Sequence, residues 1–382
     1  MGPGDLVVVS LPPGPAWVPL LEDLWAAGAA VLPVDPRLTA RERWAIVDLA
    51  RPTVLLDEDG AIVDTGGRRV DAGTGLVIAT SGSAGVPKVV ELSRRAIEAA
   101  VAGSARALGD DGSWLCCLPV AHVGGMLVLF RGLLTGANVE VHRGFDVAEV
   151  AATSAERISL VPTMLHRLLA VGADLARFRD ILVGGAGLAD ASAEEARTRG
   201  ANVVTTYGLT ETCGGIAYDG VLFDGSAIRL GTDQELQLAG PTLMEGYLGD
   251  ADATAGAFTL DGWLRTGDAG EVDGDGRLRV HGRIDTCIRT GAEKVWPQEV
   301  EAALREHPKV VEVAVAGRPD PEWGEHVVAF IVPASIDDPP TLEEIRDHAA
   351  DRMARFKAPR ELVVLAALPR TPSGKIRRNE LR

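Results

Sequence analysis

The sequence predicts an α/β protein: a large doubly wound domain with a small antiparallel β subdomain, followed by a small α+β domain at the carboxyl end. Strand and helix signals alternate up to about residue 215, which is typical of a parallel sheet covered by helices. Segments of alternating polarity joined by glycine turns come next and favour an antiparallel sheet. After Gly282 the signals restart with new strands and a helix. A chain of 382 residues is long enough for two such domains.

The first strand and helix signals predict a βαβ unit. Leu6 to Ser10 and Ala30 to Pro33 are short apolar runs, and the amphipathic segment from Trp17 to Ala27 lies between them. The strand signal returns at Val54 to Leu56 and at Leu76 to Thr80. Later strand signals lie in the segments SWLCCLPV, ANVEVH, ILVGGAG and ANVVTTYG. We therefore expect a buried parallel sheet with helices on both faces.

The remaining segments predict the subdomain and the carboxyl-terminal domain. VLFDGSAIRL, ELQLAG and RLRVHG alternate in polarity and are joined by glycine turns, as in small antiparallel sheets. Lys309 to Ala316 and His326 to Val332 are expected strands, and the helix predicted in TLEEIRDHAADRMARF begins with a capping box. We place the domain boundary at Asp285, with residues 1–284 in the large domain and 285–382 in the small one.

The composition indicates a globular protein that does not bind nucleic acid. The 54 acidic and 38 basic side chains give a net charge of −16, which disfavours nucleic acid because its phosphates would be repelled. Four cysteines without a C-x-x-C pair indicate a reducing cytoplasm. The apolar stretch WVPLLEDLWAAGAAVLPV is interrupted by Glu22 and Asp23, so we expect neither a signal peptide nor a membrane span. A homodimer is compatible with the sequence, which does not decide the oligomeric state.

The segment TSGSAGVPK, from Thr80 to Lys88, is a candidate phosphate loop. Small side chains let backbone N–H groups approach an anion, and the final lysine adds a point charge. The spacing differs from the P-loop of NTPases, because Gly82 and Gly85 are only three residues apart and Pro87 precedes the lysine. Strand residues follow, so the loop is predicted to join two strands of a hairpin; the alternative is a glycine-rich surface turn. The candidate residues are Thr80, Ser81, Gly82, Ser83, Gly85 and Lys88.

This loop resembles the phosphate loop of the acyl-adenylate-forming superfamily, which includes acyl-CoA synthetases, adenylation domains of peptide synthetases and luciferases. Other segments are similar to further signatures of that superfamily: GGAG, TYGLTET, WLRTGDAGEVDGDGRLRVHGRIDTCIRTGAEKVWPQEVE and PRTPSGKIRR. The resemblance extends from about Asp5 to Arg382. It implies nucleotide-binding roles for Gly184, Gly185, Ala186, Thr206, Tyr207, Gly208, Asp268 and Arg283.

The residue types in these segments suit the implied roles. Tyr207 offers a flat face to a purine, Thr210 a hydroxyl to the α-phosphate, and Glu211 a hard oxygen ligand to Mg²⁺. The resemblance further implies that Asp268 accepts hydrogen bonds from the ribose hydroxyls, with Arg283 as its partner.

The last part of the chain carries the catalytic lysine and the hinge that the resemblance implies. Lys375 would contact the reacting carboxylate and the α-phosphate, after which the small domain would rotate as a mobile unit about Asp285. This rotation would bring the face around Gly291 and Ala292 to the thiol of CoA. Ala292 stands where a second glycine is usual, which leaves less room beside the thiol channel.

The implied reaction is activation of a carboxylic acid by ATP with Mg²⁺, followed by transfer of the acyl group from the adenylate to CoA. Within the superfamily, LPVAHVGGMLVLFRGLLTGA and TYGLTETCGGIAYDGVLFDG most resemble the o-succinylbenzoate-CoA ligases of menaquinone biosynthesis in their compact actinobacterial form. That acid has two carboxylates and an aromatic ring, so we expect cations or donors in its pocket. The candidate pocket residues are His122, Arg131, Ser159, Thr163 and Thr212, with Arg157 as another source of charge.

Three other functions stay open at this point. They are another acyl- or aryl-CoA ligase of the same fold, an adenylation enzyme that loads a carrier protein, and a nucleotide-binding regulator without enzyme activity. Lys88, Glu211, Asp268 and Lys375 are all present, which disfavours the regulator.

Overall fold

A computed structural model describes residues 1–56, 60–81, 87–109, 111–188, 190–370 and 376–381. Its strands are β1 (Leu6–Val9), β2 (Ala30–Pro33), β3 (Val54–Leu56), β4 (Ile62–Asp64), β5 (Thr74–Ser81), β6 (Pro87–Ser93), β7 (Trp114–Cys116), β8 (Val139–Val141), β9 (Arg157–Leu160), β10 (Asp180–Val183), β11 (Val203–Leu209), β12 (Gly214–Tyr218), β13 (Val221–Leu222), β14 (Ala227–Leu230), β15 (Glu235–Ala239), β16 (Gly246–Tyr247), β17 (Leu264–Val272), β18 (Leu278–Arg283), β19 (Ile288–Thr290), β20 (Glu293–Val295), β21 (Val310–Asp320), β22 (Gly324–Pro333) and β23 (Glu361–Val364). Its α-helices are α1 (Trp17–Ala27), α2 (Ala40–Ala50), α3 (Arg94–Leu108), α4 (Val123–Thr135), α5 (Val147–Ala152), α6 (Pro162–Ala170), α7 (Asp190–Thr198), α8 (Ala251–Ala257), α9 (Pro297–Leu304) and α10 (Leu342–Ala350). Within these described ranges, no helix is both long enough and apolar enough to cross a membrane.

The parallel strands lie in two seven-stranded sheets. The first has the order β16-β6-β5-β2-β1-β3-β4, in which β5, β2, β1 and β3 are parallel. The second has the order β13-β12-β11-β10-β9-β7-β8, parallel from β11 to β8. The predicted α/β class is confirmed, with the difference that the strands divide between two sheets. They divide because β6 turns back antiparallel to β5, and α3 then carries the chain away from the first sheet.

Helices α1, α3 and α4 fill the space between these two sheets. They share one apolar core, to which α1 contributes Trp17, α4 contributes Phe130, and the two sheets contribute Ile78 and Val204. Residues 125–132 of α4 are all buried. A helix that is apolar on every side is stable only when it is covered on every side, which explains the run MLVLF in this segment.

Two smaller sheets complete the chain. β14, β15, β17 and β18 form an antiparallel sheet where the sequence predicts the subdomain. β19 to β23 form a five-stranded sheet that packs with α9 and α10 around an apolar core of its own. α10 begins with the predicted capping box: the hydroxyl of Thr341 accepts from the N–H of Glu344 at 3.2 Å, and the Glu344 carboxylate accepts from the N–H of Thr341 at 2.7 Å.

Candidate active site

Three predicted functional segments lie at the carboxyl ends of strands in the two large sheets. The candidate phosphate loop follows β5, GGAG follows β10, and TYGLTET begins within β11. Ligands of open α/β sheets bind at this edge. Several predicted site residues lie outside the described part of the chain, namely Gly82, Ser83, Gly85, Lys375 and the side chain of Ser81.

The candidate phosphate loop joins two antiparallel strands, as predicted. Thr80 on β5 pairs with Lys88 on β6. The Lys88 ammonium lies over the ring of Tyr247, 4.4 Å from the ring centroid, and has no ion pair with any residue that the structure describes. The lysine is exposed and therefore free to meet an anion.

Tyr247 connects Lys88 to Glu211. Its hydroxyl donates to Glu211 Oε1 at 2.9 Å, while its ring carries the lysine. Burial raises the pKa of the Tyr247 hydroxyl and the Glu211 charge raises it further, so the hydroxyl stays a donor at neutral pH. The sequence analysis misses this residue. Its position depends on the pairing of β16 with β6, for which the segment MEGYLGD has no motif.

Tyr207, Asp268 and Arg283 form a second connected group. The Tyr207 hydroxyl donates to Asp268 Oδ2 at 2.9 Å, and Arg283 Nη1 lies 3.5 Å from Asp268 Oδ1. Burial raises the pKa of the Asp268 carboxyl, and the charge of Arg283 opposes this shift. A carboxylate has about four acceptor positions, so Asp268 can still accept from further donors.

GGAG and TYGLTET meet side by side because β10 and β11 are parallel neighbours. A Cβ on Gly184 would collide with the hydroxyl of Thr206, so this contact requires glycine. Gly185 and Ala186 are exposed. Gly208 lies at an irregularity in the pairing of β11 with β12. The structure therefore brings GGAG and the start of TYGLTET together on one surface, which also carries the phenol of Tyr207.

Thr212 stabilises the turn after β11. Its side chain is fully buried, and its hydroxyl accepts from the N–H of Leu209 at 2.8 Å and donates to the carbonyl of Gly214 at 2.7 Å. These bonds fix the 3₁₀ turn Thr210–Thr212, which presents Thr210 and Glu211 as half-buried side chains. These bonds favour a structural role for Thr212, and its contact with the acid stays a prediction.

Arg131 is likewise a structural residue. It is buried in α4, where Nε donates to the Ser104 hydroxyl at 3.1 Å and Nη2 donates to the Tyr218 hydroxyl at 3.0 Å. Its guanidinium also lies 4.6 Å from the ring centroid of Trp114. These contacts favour a structural role for Arg131 over the predicted supply of charge to the acid pocket, although Nη1 has no hydrogen-bond partner among the described residues, and a contact with the acid stays a prediction.

Arg157 lies at the wrong end of its strand to reach the site. It is the first residue of β9, whereas ligands bind beyond the last. Its side chain is fully buried and pairs with Asp180 at 2.7 Å, and it also donates to the carbonyls of Leu108 and Asp111. We assign it to the structure of the amino-terminal edge of the second sheet.

The other candidate pocket residues occupy different depths. Ser159 is buried within β9, one residue before its end. Thr163 is exposed in the first turn of α6, and His122 is exposed at the residue that precedes α4. All three lie towards the carboxyl edge of the second sheet.

The predicted hinge and thiol-facing residues follow β18. Asp285 Oδ1 lies 3.4 Å from Arg283 Nε, so the hinge candidate is linked to the group around Asp268. Gly291 and Ala292 form the exposed two-residue turn between β19 and β20. Gly291 has φ +63°, whereas Ala292 is not among the residues with positive φ. A turn that needs a positive φ at its first position alone accommodates alanine at the second.

Acidic side chains supply few metal ligands. Within the described ranges, no three His, Cys, Asp or Glu side chains lie together as a possible metal site. Glu211, the predicted ligand of the cation, is not part of such a cluster. A cation bound to its single carboxylate would therefore need further oxygen ligands from a bound molecule or from water. Mg²⁺ bound to a nucleotide has this requirement.

Comparison with known proteins identifies the family. The family model for AMP-binding enzymes matches residues 73–246, and the model for the C-terminal domain of AMP-binding enzymes matches residues 299–375. A probable 2-succinylbenzoate-CoA ligase of Mycobacterium tuberculosis is 38% identical over 329 residues, which cover 82% of this chain and 85% of that protein. The chain belongs to the AMP-binding enzyme family. The superfamily recognised in the sequence is therefore confirmed.

Other AMP-binding enzymes resemble the chain over most of its length. An indoleacetate-CoA ligase of Aromatoleum aromaticum is 37% identical over 343 residues, which cover 80% of this chain and 66% of that protein. The o-succinylbenzoate CoA synthetase of Bacillus subtilis, in complex with its acyl-adenylate intermediate, has a TM-score of 0.88 at 28% identity and covers all of this chain and 89% of that one. The same synthetase with ATP and magnesium has the same TM-score at 27% identity. This likeness confirms the large amino-terminal and small carboxyl-terminal domains. The roles of individual residues stay predictions.

Replacing Arg131 with methionine is expected to lower stability and to leave acid binding intact. The change removes the partner of Ser104 and Tyr218 in the core, at a cost of about 1–3 kcal/mol. Urea denaturation measures the loss, and the KM of the acid reports binding. A variant of normal stability with a raised KM for the acid would restore Arg131 to the pocket.

Proposed function

We propose that the protein is an ATP-dependent acid–thiol ligase that converts o-succinylbenzoate and CoA into o-succinylbenzoyl-CoA, in menaquinone biosynthesis. The convergence of Lys88 and Glu211 on Tyr247 carries the proposal, because it joins the phosphate loop to the TYGLTET turn at one point. The likeness to 2-succinylbenzoate-CoA ligases in sequence and in fold supports the choice of acid.

The first half-reaction joins two anions, so its barrier is largely electrostatic. A carboxylate oxygen of the acid forms a bond to the α-phosphorus of ATP, and the bond from that phosphorus to the bridging oxygen breaks as pyrophosphate leaves. Lys88 is placed to hold the β- and γ-phosphates, and Thr210 offers its hydroxyl to the α-phosphate. We assign Lys375 to the reacting carboxylate and the α-phosphate, where a cation stabilises the developing charge.

Glu211 is the residue that would hold Mg²⁺. The ion, when bound, neutralises phosphate charge and polarises the phosphoryl oxygens. Tyr247 keeps the Glu211 carboxylate in position with a neutral hydrogen bond, which leaves its negative charge available to the ion.

The second group binds the nucleoside. Asp268 accepts from the ribose hydroxyls with the acceptor positions that Tyr207 leaves free, and the half-buried Tyr207 offers its ring to the purine. GGAG borders the adenine through its backbone. Because Arg283 connects Asp268 to Asp285, the nucleoside contacts are coupled to the hinge.

The second half-reaction requires the small domain to move. We assign residues 285–382 to this domain, with rotation about Asp285, so that Gly291 and Ala292 face the thiol. The sulfur then bonds to the acyl carbon and AMP leaves with the carboxyl oxygen. Asp233 pairs with Lys294 of β20 at 2.9 Å, an ion pair between the antiparallel subdomain and the small domain that rotation would break. Such exposed pairs contribute roughly 0–1 kcal/mol, so breaking one is a small barrier.

Location and assembly follow from the same proposal. The four cysteines are all free thiols, which suits a reducing cytoplasm. ATP, CoA and the acid are the partners we propose, and a homodimer stays a prediction from the sequence.

Product analysis tests the proposed acid. With ATP, Mg²⁺, CoA and a panel of o-succinylbenzoate, indoleacetate, benzoate and medium-chain fatty acids, mass spectrometry should find one dominant thioester, that of o-succinylbenzoate. Indoleacetyl-CoA as the main product would favour the aryl-CoA ligase alternative, which the indoleacetate-CoA ligase likeness supports. Adenylate without thioester would point to the thiol of a carrier protein.

Replacing Lys375 with alanine should separate the two half-reactions. Exchange of label between pyrophosphate and ATP is expected to stop, because the cation at the reacting centre is lost, whereas thioester formation from supplied acyl-adenylate should persist. Lys357→Ala is the matched control: this lysine of the small domain pairs with Glu299 at 2.5 Å and has no assigned catalytic contact. Equal loss of both half-reactions in the Lys375 variant would refute its assignment.

Replacing Tyr247 with phenylalanine should weaken MgATP binding about fivefold. The variant keeps the ring beside Lys88 but loses the donor to Glu211, a hydrogen bond that contributes roughly 1 kcal/mol when partly exposed. Calorimetric titration with MgATP measures the effect. Tyr218→Phe is the control, since the Tyr218 hydroxyl lies in the core with Ser104. Unchanged affinity in the Tyr247 variant would remove that residue from the site.

A further inference from the structure

The turn between β14 and β15 presents an acidic side chain to the small domain. Asp233 and Gln234 are its two central residues, and both have positive φ, +59° and +62°. The N–H of Glu235 donates to the carbonyl of Thr232, which closes the turn. Two-residue hairpin turns need this left-handed conformation at both central positions, which is easiest for aspartate or asparagine followed by glycine. So tight a turn gives the backbone of Asp233 little freedom, and its carboxylate is held at the tip of the hairpin.

Asp233 contacts two cations of the small domain, one with each carboxylate oxygen. Oδ1 lies 2.9 Å from Lys294 Nζ on β20, and Oδ2 lies 3.6 Å from Arg289 Nη2 on β19. The hydrogen bond from Lys294 and the charges of both cations lower the pKa of the Asp233 carboxyl, so the group is negatively charged at neutral pH. One carboxylate of the antiparallel subdomain thus links to both strands of a hairpin in the small domain.

The two cations lie directly opposite each other on the hairpin of β19 and β20. Arg289 and Lys294 are paired residues of this antiparallel ladder. Like charges at opposed positions repel each other and destabilise the pairing of the strands. Among the residues that the structure describes, Asp233 has the only carboxylate that forms an ion pair with either cation. The large domain therefore supplies the charge that offsets a repulsion within the small one.

The far end of the small domain approaches the carboxyl edge of the first sheet in the same orientation. Glu42 lies in the first turn of α2, which follows the carboxyl end of β2. Hydrogen bonds from Thr39 lower the pKa of the Glu42 carboxyl, and Arg377 lies close enough for its charge to lower that pKa further. Arg377 is two residues from Lys375 in the sequence. This orientation therefore suits the first half-reaction, in which we assign Lys375 to the reacting centre.

We propose that Asp233 is a positioning residue that holds the small domain in the orientation of the first half-reaction, through its contacts with Lys294 and Arg289. This inference rests on the proposed function and deepens it. Exposed ion pairs are weak, so these contacts can break in every catalytic cycle. A weak contact made in only one of two orientations still shifts their populations by a few fold. Asp233 thus acts on the balance between the two half-reactions and does not touch the reacting atoms.

The test compares the two half-reactions in the variant Asp233→Asn. Asparagine accepts the left-handed conformation as aspartate does, so the change removes the charge and keeps the turn. Pyrophosphate exchange measures the first half-reaction, and thioester formation from supplied acyl-adenylate measures the second. We expect the ratio of the first rate to the second to fall about threefold, which is the scale of an exposed ion pair.

The partner residues and a control define the cause. The double variant R289Q/K294Q should show the same fall in the ratio, and adding Asp233→Asn to it should lower the ratio no further, because the partners are already gone. Asp338→Asn is the matched control: Asp338 is an exposed aspartate that pairs with Lys309 at 3.1 Å within the small domain, so its loss should leave the ratio unchanged.

The outcomes separate this inference from the proposed function. An unchanged or raised ratio in Asp233→Asn, with an active wild-type protein, would overturn the inference and leave the function standing. A further fall when Asp233→Asn is added to R289Q/K294Q, or an equal fall in Asp338→Asn, would overturn it as well. A wild-type protein that exchanges pyrophosphate with no acid would instead refute the proposed function. If it activates an acid other than o-succinylbenzoate, the ratio is measured with that acid.

Discussion

The packing of α4 between the two large sheets fixes the geometry on which the site depends. α4 is buried along most of its length, and its one charged residue, Arg131, bonds to Ser104 on α3 and to Tyr218 on β12. The apolar core shared by α1, α3, α4 and the two sheets holds helix and strand in one register, and the Arg131 bonds add to it. The turn after β11 consequently stays opposite the β5–β6 hairpin. Only then do Lys88 and Glu211 reach the same tyrosine.

Two neutral tyrosine hydroxyls hold the two carboxylates of the site. Tyr247 donates to Glu211 and Tyr207 donates to Asp268, each at 2.9 Å. Burial raises the pKa of both phenols, so each remains a donor. An arginine in place of Tyr247 would fix the Glu211 carboxylate equally well but would cancel its charge. The neutral donor orients Glu211 and leaves its charge for a cation, which is what binding MgATP requires. At Asp268 the neutral donor is joined by Arg283, which lies 3.5 Å away.

Local patterns predict the elements, whereas long-range packing decides what the sequence analysis misses. Helix Trp17–Ala27 and strand Ala30–Pro33 are predicted at their observed bounds, because periodicity acts over neighbouring residues. The phosphate-loop, GGAG and TYGLTET segments do lie at the carboxyl ends of strands in the two large sheets. The division into two sheets and the position of Tyr247 depend on strand pairings between distant segments, which no local pattern encodes. The structural contacts of Arg131 and Thr212 are missed for a related reason: residue type indicates possible chemistry, but the partners come from packing.

The pairing of cations separates residues that position from residues that bind. A protein of net charge −16 that handles anionic substrates gains nothing from its overall field, so attraction must come from local cations without partners. Arg131, Arg157 and Arg283 are bonded to protein groups, and each holds structure in place. Lys88 has no ion pair with any acidic side chain in the part of the chain that the structure describes. It lies beside the predicted phosphate loop, so an incoming phosphate meets uncompensated positive charge there.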